Sequence, residues 1–118
     1  MTPTRPLTGS NPVMPHKVRI SSEELRQIEA IGDYISRDSP QNALRWVQRI
    51  RATIDMLGNF PERHAVLYTP QQAGREVRQT FYGVYRILYE IQEDTVYVLT
   101  VRHGARRPLG PAEVAAID

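Results

Sequence analysis

Apolar positions in the first half of the chain follow a strand-like pattern and then a helical one. Val18 and Ile20 alternate with polar residues, which predicts a short strand with one buried face. Ser21 lies three residues before Glu24, a capping-box pattern that predicts the start of a helix. The apolar stripe of this first helix consists of Leu25, Ile28, Ile31 and Ile35.

A second helix is predicted to begin at Ser39-Pro40, because serine is a favourable N-cap and proline suits the first helical position. Gly58 predicts a left-handed stop, and Pro61 prevents the helix from continuing. Two amphipathic helices joined by so short a link are expected to pack as an antiparallel hairpin. The stripe of the second helix consists of Ala43, Val47, Ile50, Ile54 and Leu57.

Beyond a loop through Thr69-Pro70 the apolar period becomes that of strands. Gly83 and Glu93-Asp94 provide chain reversals, so three consecutive strands form an antiparallel meander. Arg86 lies on the opposite face of the middle strand from its apolar side chains, so we expect helices to cover one face and leave the other open. The predicted strands span residues 76–82, 84–91 and 95–101.

The element order β-α-α-β-β-β predicts an α+β fold with a helical hairpin packed on one face of a mainly antiparallel four-stranded sheet. We expect residues 16–107 to form this single domain and residues 108–118 to form a C-terminal tail. Residues 1–15 contain four of the nine prolines and one charged residue. This composition predicts a disordered N-terminal extension.

The composition excludes several kinds of functional site. Cysteine is absent, which excludes disulfides, zinc–thiolate sites and thiol nucleophiles and is typical of the cytoplasm. No apolar run approaches the length of a membrane span, so we expect no membrane association. His16 and His64 have no carboxylate at metal-ligand spacing, and we therefore predict neither a metal site nor a cofactor.

The basic residues are almost all arginine. The chain carries 15 Lys+Arg against 13 Asp+Glu, and Lys17 is the only lysine. Arginine binds phosphate and carboxylate groups through a planar fork, although GC-rich coding would also enrich it. The candidate target- or phosphate-binding residues are Arg78, Arg86, Arg102, Arg106 and Arg107.

Several short motifs occur together in a characteristic order. They are Tyr34-Ile35, Ser39-Pro40 and Ala43, then Leu57 and Pro61, 74-GREVR-78, 85-YRILY-89, and 96–101 running into 103-HGARR-107. In this order and spacing, the sequence resembles the RelE/ParE superfamily of bacterial type II toxin–antitoxin toxins. The resemblance covers about residues 18–107 and agrees with the element order predicted above.

The resemblance implies a growth-inhibiting protein neutralised by a cognate antitoxin, with which it forms a hetero-oligomer. Members are either RelE-like enzymes that cleave mRNA in the ribosome or ParE-like inhibitors of DNA gyrase. RelE-like nucleases similar to this chain carry strand lysines and a tyrosine near the C-terminus. Here no lysine follows Lys17 and no tyrosine follows Tyr97, so we expect a ParE-like gyrase inhibitor.

The alternatives are an mRNA endonuclease and a non-toxic binding module. If the nuclease alternative holds, the catalytic residues are Arg86, His103 and Arg106, because histidine transfers protons near neutral pH and guanidiniums neutralise phosphate. Arg86 could instead form a buried ion pair with Glu76 or Glu90, and His103 could be a half-exposed capping side chain. The tyrosine cluster is more typical of core packing than of base stacking; it comprises Tyr82, Tyr85 and Tyr89.

The antitoxin segment is expected to be acidic and partly disordered before binding. An acidic partner complements an arginine-rich surface, and a sheet edge with unpaired backbone groups invites strand addition.

Overall fold

The computed structural model describes residues 15–117, so residues 1–14 of the predicted extension and Asp118 lie outside the described residues. The strands are β1 (Lys17–Ile20), β2 (Val66–Tyr68), β3 (Val77–Tyr82), β4 (Tyr85–Gln92) and β5 (Thr95–His103). The helices are α1 (Ser22–Ser36), α2 (Pro40–Asp55), α3 (Pro70–Ala73) and α4 (Pro111–Ala115). Single 3-10 turns lie at Met56–Gly58 and Pro61–Arg63.

The strands form one sheet of five strands in the order β1-β5-β4-β3-β2. Only β1 is parallel to its neighbour, and the other pairs are antiparallel. The predicted α+β class, with a helical hairpin on a mainly antiparallel sheet, is confirmed, but the predicted number of four strands is wrong. The additional strand, β2, lies in the segment predicted to be a loop, because three residues are too few to display alternation.

Both helix starts are confirmed. Ser21 Oγ accepts a hydrogen bond from the Glu24 backbone N–H at 3.1 Å, and Ser39 Oγ accepts one from the Asn42 N–H at 3.2 Å. The two helices approach closely at Gly32, where a Cβ atom would lie 2.8 Å from Cγ2 of Val47.

Gly58 is required for a different reason from the one predicted. Its φ is not in the left-handed region, so the predicted left-handed stop is wrong. A Cβ atom at Gly58 would lie 2.6 Å from the carbonyl oxygen of His16, whose N–H donates to the Gly58 carbonyl at 2.8 Å. Glycine is needed here because the backbone entering β1 passes directly over this turn.

Apolar residues form a core on each face of the sheet. The larger core lies between the helical hairpin and the sheet, and includes Ile28, Ile50, Ile87, Tyr89, Val96 and Val101. The second core lies on the opposite face and comprises Val77, Leu88, Leu99 and Val114, with Leu109 and Ile117 at its margin. The expectation that this face is open is therefore wrong in part, because the apolar residues of the C-terminal segment cover its centre.

A β-bulge at Leu99 interrupts the pairing of β4 with β5. Tyr89 pairs with Val98 and Leu88 pairs with Thr100, which leaves Leu99 as an extra residue. An extra residue reverses which face the following side chains occupy. Beyond the bulge, Arg102 is paired with Arg86 and His103 with Tyr85.

Glu24 joins the start of α1 to β5 just beyond this bulge. The pairing of β1 with β5 ends at Ile20 and Val98, and past this point Oε1 of Glu24 accepts a hydrogen bond from the Val101 N–H at 3.2 Å. The predicted capping box is therefore only half formed, since Ser21 caps the helix while this carboxylate oxygen binds β5. Burial raises the pKa of Glu24, and the Val101 N–H opposes this shift.

Substitutions at Glu24 separate its hydrogen bond from its charge. Glu24→Gln keeps an acceptor for the Val101 N–H without burying a charge, so we expect its free energy of unfolding at pH 7 to equal or exceed that of the wild type. Glu24→Leu leaves that amide without an acceptor and should lower the free energy of unfolding by about 1–3 kcal/mol. Urea unfolding followed by circular dichroism measures both.

The same variants give a pH test. Since the folded-state pKa of Glu24 is raised, the folded protein binds this proton more tightly than the unfolded chain does, and the associated stability is lost as pH rises through the folded-state pKa. The wild type should therefore gain stability relative to Glu24→Gln as the pH falls from 7 toward the ordinary pKa of glutamate. A constant difference between the two over this range would contradict the assignment.

Candidate functional site

Four arginines collect at the end of the sheet where β4 begins and β5 ends. Arg86 and Arg102 are paired across the two strands, and Arg106 and Arg107 lie just after β5. We call these four residues the arginine patch. Arg86 and Arg102 lie on the sheet face away from the helical hairpin, since the neighbouring residues Tyr85, Ile87 and Val101 pack against the helices.

Arg86 stacks on an aromatic ring and has no ion-pair partner among residues 15–117. Its guanidinium carbon lies 5.3 Å from the centre of the Phe81 ring, and its Nη1 donates to Oε1 of Gln79 at 3.0 Å. The two carboxylates proposed as alternative partners bind other arginines: Glu76 pairs with Arg78 at 3.2 Å and Glu90 with Arg75 at 3.1 Å. The ion-pair alternative for Arg86 is therefore wrong.

Arg102 lies among like charges. Its Nε donates to the carbonyl oxygen of Arg107 at 3.1 Å. Partial desolvation lowers its pKa, and the charges of Arg106 and Arg107 lower it further. Along residues 15–117, no carboxylate forms an ion pair with Arg86, Arg102 or Arg106.

The charge of Arg107 is balanced by Glu113 of the C-terminal helix α4. Its two terminal nitrogens each lie 2.8 Å from a carboxylate oxygen of Glu113. These hydrogen bonds, with one from the Gly110 N–H, lower the pKa of Glu113 to about 2. Glu113 is therefore ionised at any physiological pH, and Arg107 is less available to a ligand than its three neighbours.

Arg78 lies apart from the patch and serves the fold. Its Nη1 donates to the carbonyl oxygens of Glu62 at 2.7 Å and His64 at 2.6 Å, and its Nη2 binds Glu76. The side chain is 15% exposed. Although it was predicted to bind target or phosphate, its guanidinium is occupied in fastening the loop before β2 to β3.

His103 lies on the opposite face of the sheet from Arg86. Its ring meets the Tyr85 ring edge-on, with 5.2 Å between centres, and Tyr85 in turn meets Trp46 of α2 at 4.9 Å. Its Nδ1 accepts a hydrogen bond from the Ala105 N–H at 3.0 Å, as expected of a half-exposed capping side chain. The structure thus separates His103 from Arg86 in the trio predicted for a nuclease.

A groove of about 390 Å³ runs between α1 and the end of β5. His103 and Arg106 line it beside Tyr85, Arg102 and Tyr34, whose side chain is 68% exposed. The groove brings aromatic rings and guanidiniums together, but Arg86 is not among its lining residues. It therefore offers a docking surface and contains no complete set of the predicted catalytic residues.

Sequence reasoning missed Phe81 and Gln79. Both are on β3, on the same face as Arg86, and the Phe81 ring is 52% exposed. Alternation along β3 gave no signal for Phe81, because this residue shares its face with Val77, which is buried in the second core, and the pattern alone would bury Phe81 there as well. Tyr89, by contrast, is fully buried, which confirms the core interpretation of the tyrosine cluster for this residue.

Within the described part of the chain, no group of three or more His, Asp or Glu side chains is arranged to hold a metal ion. No helix formed by these residues is both long enough and apolar enough to cross a membrane.

A comparison with known protein families identifies the family of this chain. Residues 18–108 match the family described as the ParE toxin of type II toxin–antitoxin system, parDE. The chain belongs to this family. It is a type II toxin of the RelE/ParE superfamily, as the sequence motifs predicted.

Two curated relatives are consistent with membership of the RelE/ParE superfamily. Toxin RelE2 of Caulobacter vibrioides is 31% identical over 87 residues, which cover 70% of this chain and 88% of the relative. Putative toxin Y4kP of Sinorhizobium fredii is 34% identical over 93 residues, which cover 75% of this chain and 88% of the relative.

Solved structures share the fold of this ParE-family chain. The chromosomal ParDE TA system from P. aeruginosa superposes with a TM-score of 0.62 at 17% identity, over 77% of this chain and 98% of the other. The archaeal RelE-RelB complex from Pyrococcus horikoshii OT3 gives a TM-score of 0.54 at 14% identity, over 80% of this chain and 100% of the other.

A matched pair of arginine variants tests the difference between Arg86 and Arg78. Arg86→Ala removes a contact with an exposed ring, so we expect the free energy of unfolding to fall by about 1 kcal/mol or less while toxicity is lost. Arg78→Ala removes charged hydrogen bonds to two backbone carbonyls and should cost about 1.5–3 kcal/mol. Thermal melting and growth of expressing cells measure the two effects; equal destabilisation would make Arg86 a scaffold residue.

Proposed function

We propose that this toxin inhibits DNA gyrase and contacts its target through the arginine patch. The observation that carries the proposal is the position of His103, on the opposite face of the sheet from Arg86. The patch is therefore suited to binding an anionic or polar target surface. His103, the histidine predicted to transfer protons in a cleavage reaction, does not lie on the same face as Arg86.

The chemistry of RNA cleavage supports this choice. Attack by a 2′-hydroxyl needs a group that takes its proton, a cation that stabilises the phosphorane and a group that protonates the leaving oxygen. The arginines can supply the second of these. His103 binds a backbone amide through Nδ1 and packs against Tyr85, and the sequence has neither the lysine nor the C-terminal tyrosine of similar nucleases.

We further propose a cognate antitoxin with an acidic segment that folds on binding. The neighbouring folds were solved as ParDE and RelE-RelB systems, which supports such a partner. Three arginines of the patch have no carboxylate partner within the described part of the chain and would attract acidic side chains. Val66 on the edge strand β2 is exposed, which is compatible with strand addition. The toxin would bind both the antitoxin and gyrase in the cytoplasm.

Ribosome-dependent mRNA cleavage is the alternative. The pairing of Arg86 with Arg102 favours it, because two guanidiniums on adjacent strands can bind phosphate oxygens together. In this case Arg106 would be a further cation, and another group would have to replace His103 in proton transfer at Arg86.

A supercoiling assay with purified gyrase and relaxed plasmid tests the proposal. Wild-type toxin should leave the plasmid relaxed or cleaved, Arg86→Ala and Arg102→Gln should restore supercoiling, and the exposed α2 variant Arg49→Gln should inhibit as the wild type does. Unchanged supercoiling at excess wild-type toxin would refute gyrase inhibition.

Transcript-end sequencing after induction separates the remaining alternatives. Gyrase inhibition predicts no new ends at ribosome-occupied codons, whereas such ends would identify an mRNA endonuclease. Absence of both effects, together with normal growth, would identify a non-toxic binding module.

A further inference from the structure

Phe81 presents an aromatic face to solvent at the edge of the arginine patch. The ring is 52% exposed, and the guanidinium of Arg86 lies on it at 5.3 Å. Gln79 holds that guanidinium in place through a 3.0 Å hydrogen bond. The ring is thus fixed from one side by a cation and leaves part of its surface open to a second planar group.

Among residues 15–117, the positive charges beside this ring are not fully balanced by carboxylates. Arg86 and Arg102 are directly paired on antiparallel strands, a position in which like charges repel. The carboxylate of Glu113 binds Arg107, and Arg106 is exposed without an ion-pair partner among residues 15–117. An anion bound between the paired strands would relieve this repulsion.

We propose that Phe81 and the arginine patch bind a nucleic-acid strand, with an unstacked base on the Phe81 ring and the flanking phosphates on Arg86 and Arg102. This inference rests on the proposed function for the source of the strand, which is DNA held by gyrase. It gives the toxin a direct contact with the DNA in addition to its contact with the enzyme.

The combination of groups favours nucleic acid over an acidic protein segment. Carboxylates of a peptide would use the guanidiniums but have no need of a flat ring supported by Arg86. Aromatic rings interleaved with cations are the usual means of binding single strands, because every base has a π-face and every nucleotide a phosphate. The high proportion of arginine suits this role, since its planar fork both stacks on rings and binds phosphate.

Binding of two fluorescein-labelled strands of equal length, oligothymidine and its abasic analogue, measures the contribution of the base. By fluorescence anisotropy, wild-type toxin should prefer oligothymidine. Phe81→Leu keeps an apolar side chain but removes the stacking surface, and it should weaken oligothymidine binding about 5- to 100-fold while leaving the abasic strand nearly unaffected. Leu44→Ala, at an exposed apolar position on α2, is the matched control and should bind as the wild type does.

The Arg102→Gln variant should bind both strands more weakly, and its binding should depend less on salt, because the substitution removes a phosphate contact and not a base contact. Thermal melting of each variant establishes that it is folded before binding is compared.

Equal affinity of the wild type for the two strands, or unchanged oligothymidine binding by Phe81→Leu, would overturn base stacking. Binding of polyglutamate with no binding of either strand would assign the patch to an acidic protein segment and overturn the inference. If the Phe81→Leu variant inhibits gyrase fully and binds DNA as tightly as the wild type, the base-stacking inference is overturned while gyrase remains the proposed target. Base-dependent binding by a toxin that leaves gyrase active would support the nucleic-acid site and refute the target.

Discussion

The β-bulge at Leu99 is the constraint on which the site depends. With regular alternation from Val96 and Val98, Arg102 would face the helices and His103 would share a face with Arg86. The extra residue reverses this order, so that Arg102 lies opposite Arg86 and His103 packs on Tyr85. Glu24 then accepts the Val101 N–H beyond the end of β1 and connects the bulged strand to α1.

The C-terminal segment sets the limits of the arginine patch. Val114 is fully buried against the second face of the sheet, and the Tyr68 hydroxyl donates to the Leu109 carbonyl oxygen at 2.6 Å. These contacts cover the centre of that face and place Glu113 against Arg107. The face therefore remains accessible at Arg86 and Phe81, where a target can approach, and its apolar centre is protected from water.

Arginines of similar sequence context have different roles in this fold. Arg78 and Arg86 both occupy strands of the meander, yet Arg78 binds backbone carbonyls beneath a loop while Arg86 lies on an exposed ring. Charge alone does not distinguish them. The number of fixed acceptors around each guanidinium does, since both terminal nitrogens of Arg78 are bound by the fold, whereas Arg86 has one such acceptor among the described residues, Gln79.

The sequence by itself determined the helical hairpin and the three-strand meander, because caps, periodicity and turn residues act over a few neighbouring positions. The toxin family followed from the resemblance of its motifs to the RelE/ParE superfamily. The sequence also identified Arg86 and Arg102 as candidates. Only the tertiary structure decided that β2 joins the sheet, that Glu24 binds β5, and that Phe81 lies beside Arg86 while His103 does not. Those outcomes depend on one bulge and on pairings between distant segments, and a one-residue shift in register exchanges the two faces of a strand without changing its local pattern.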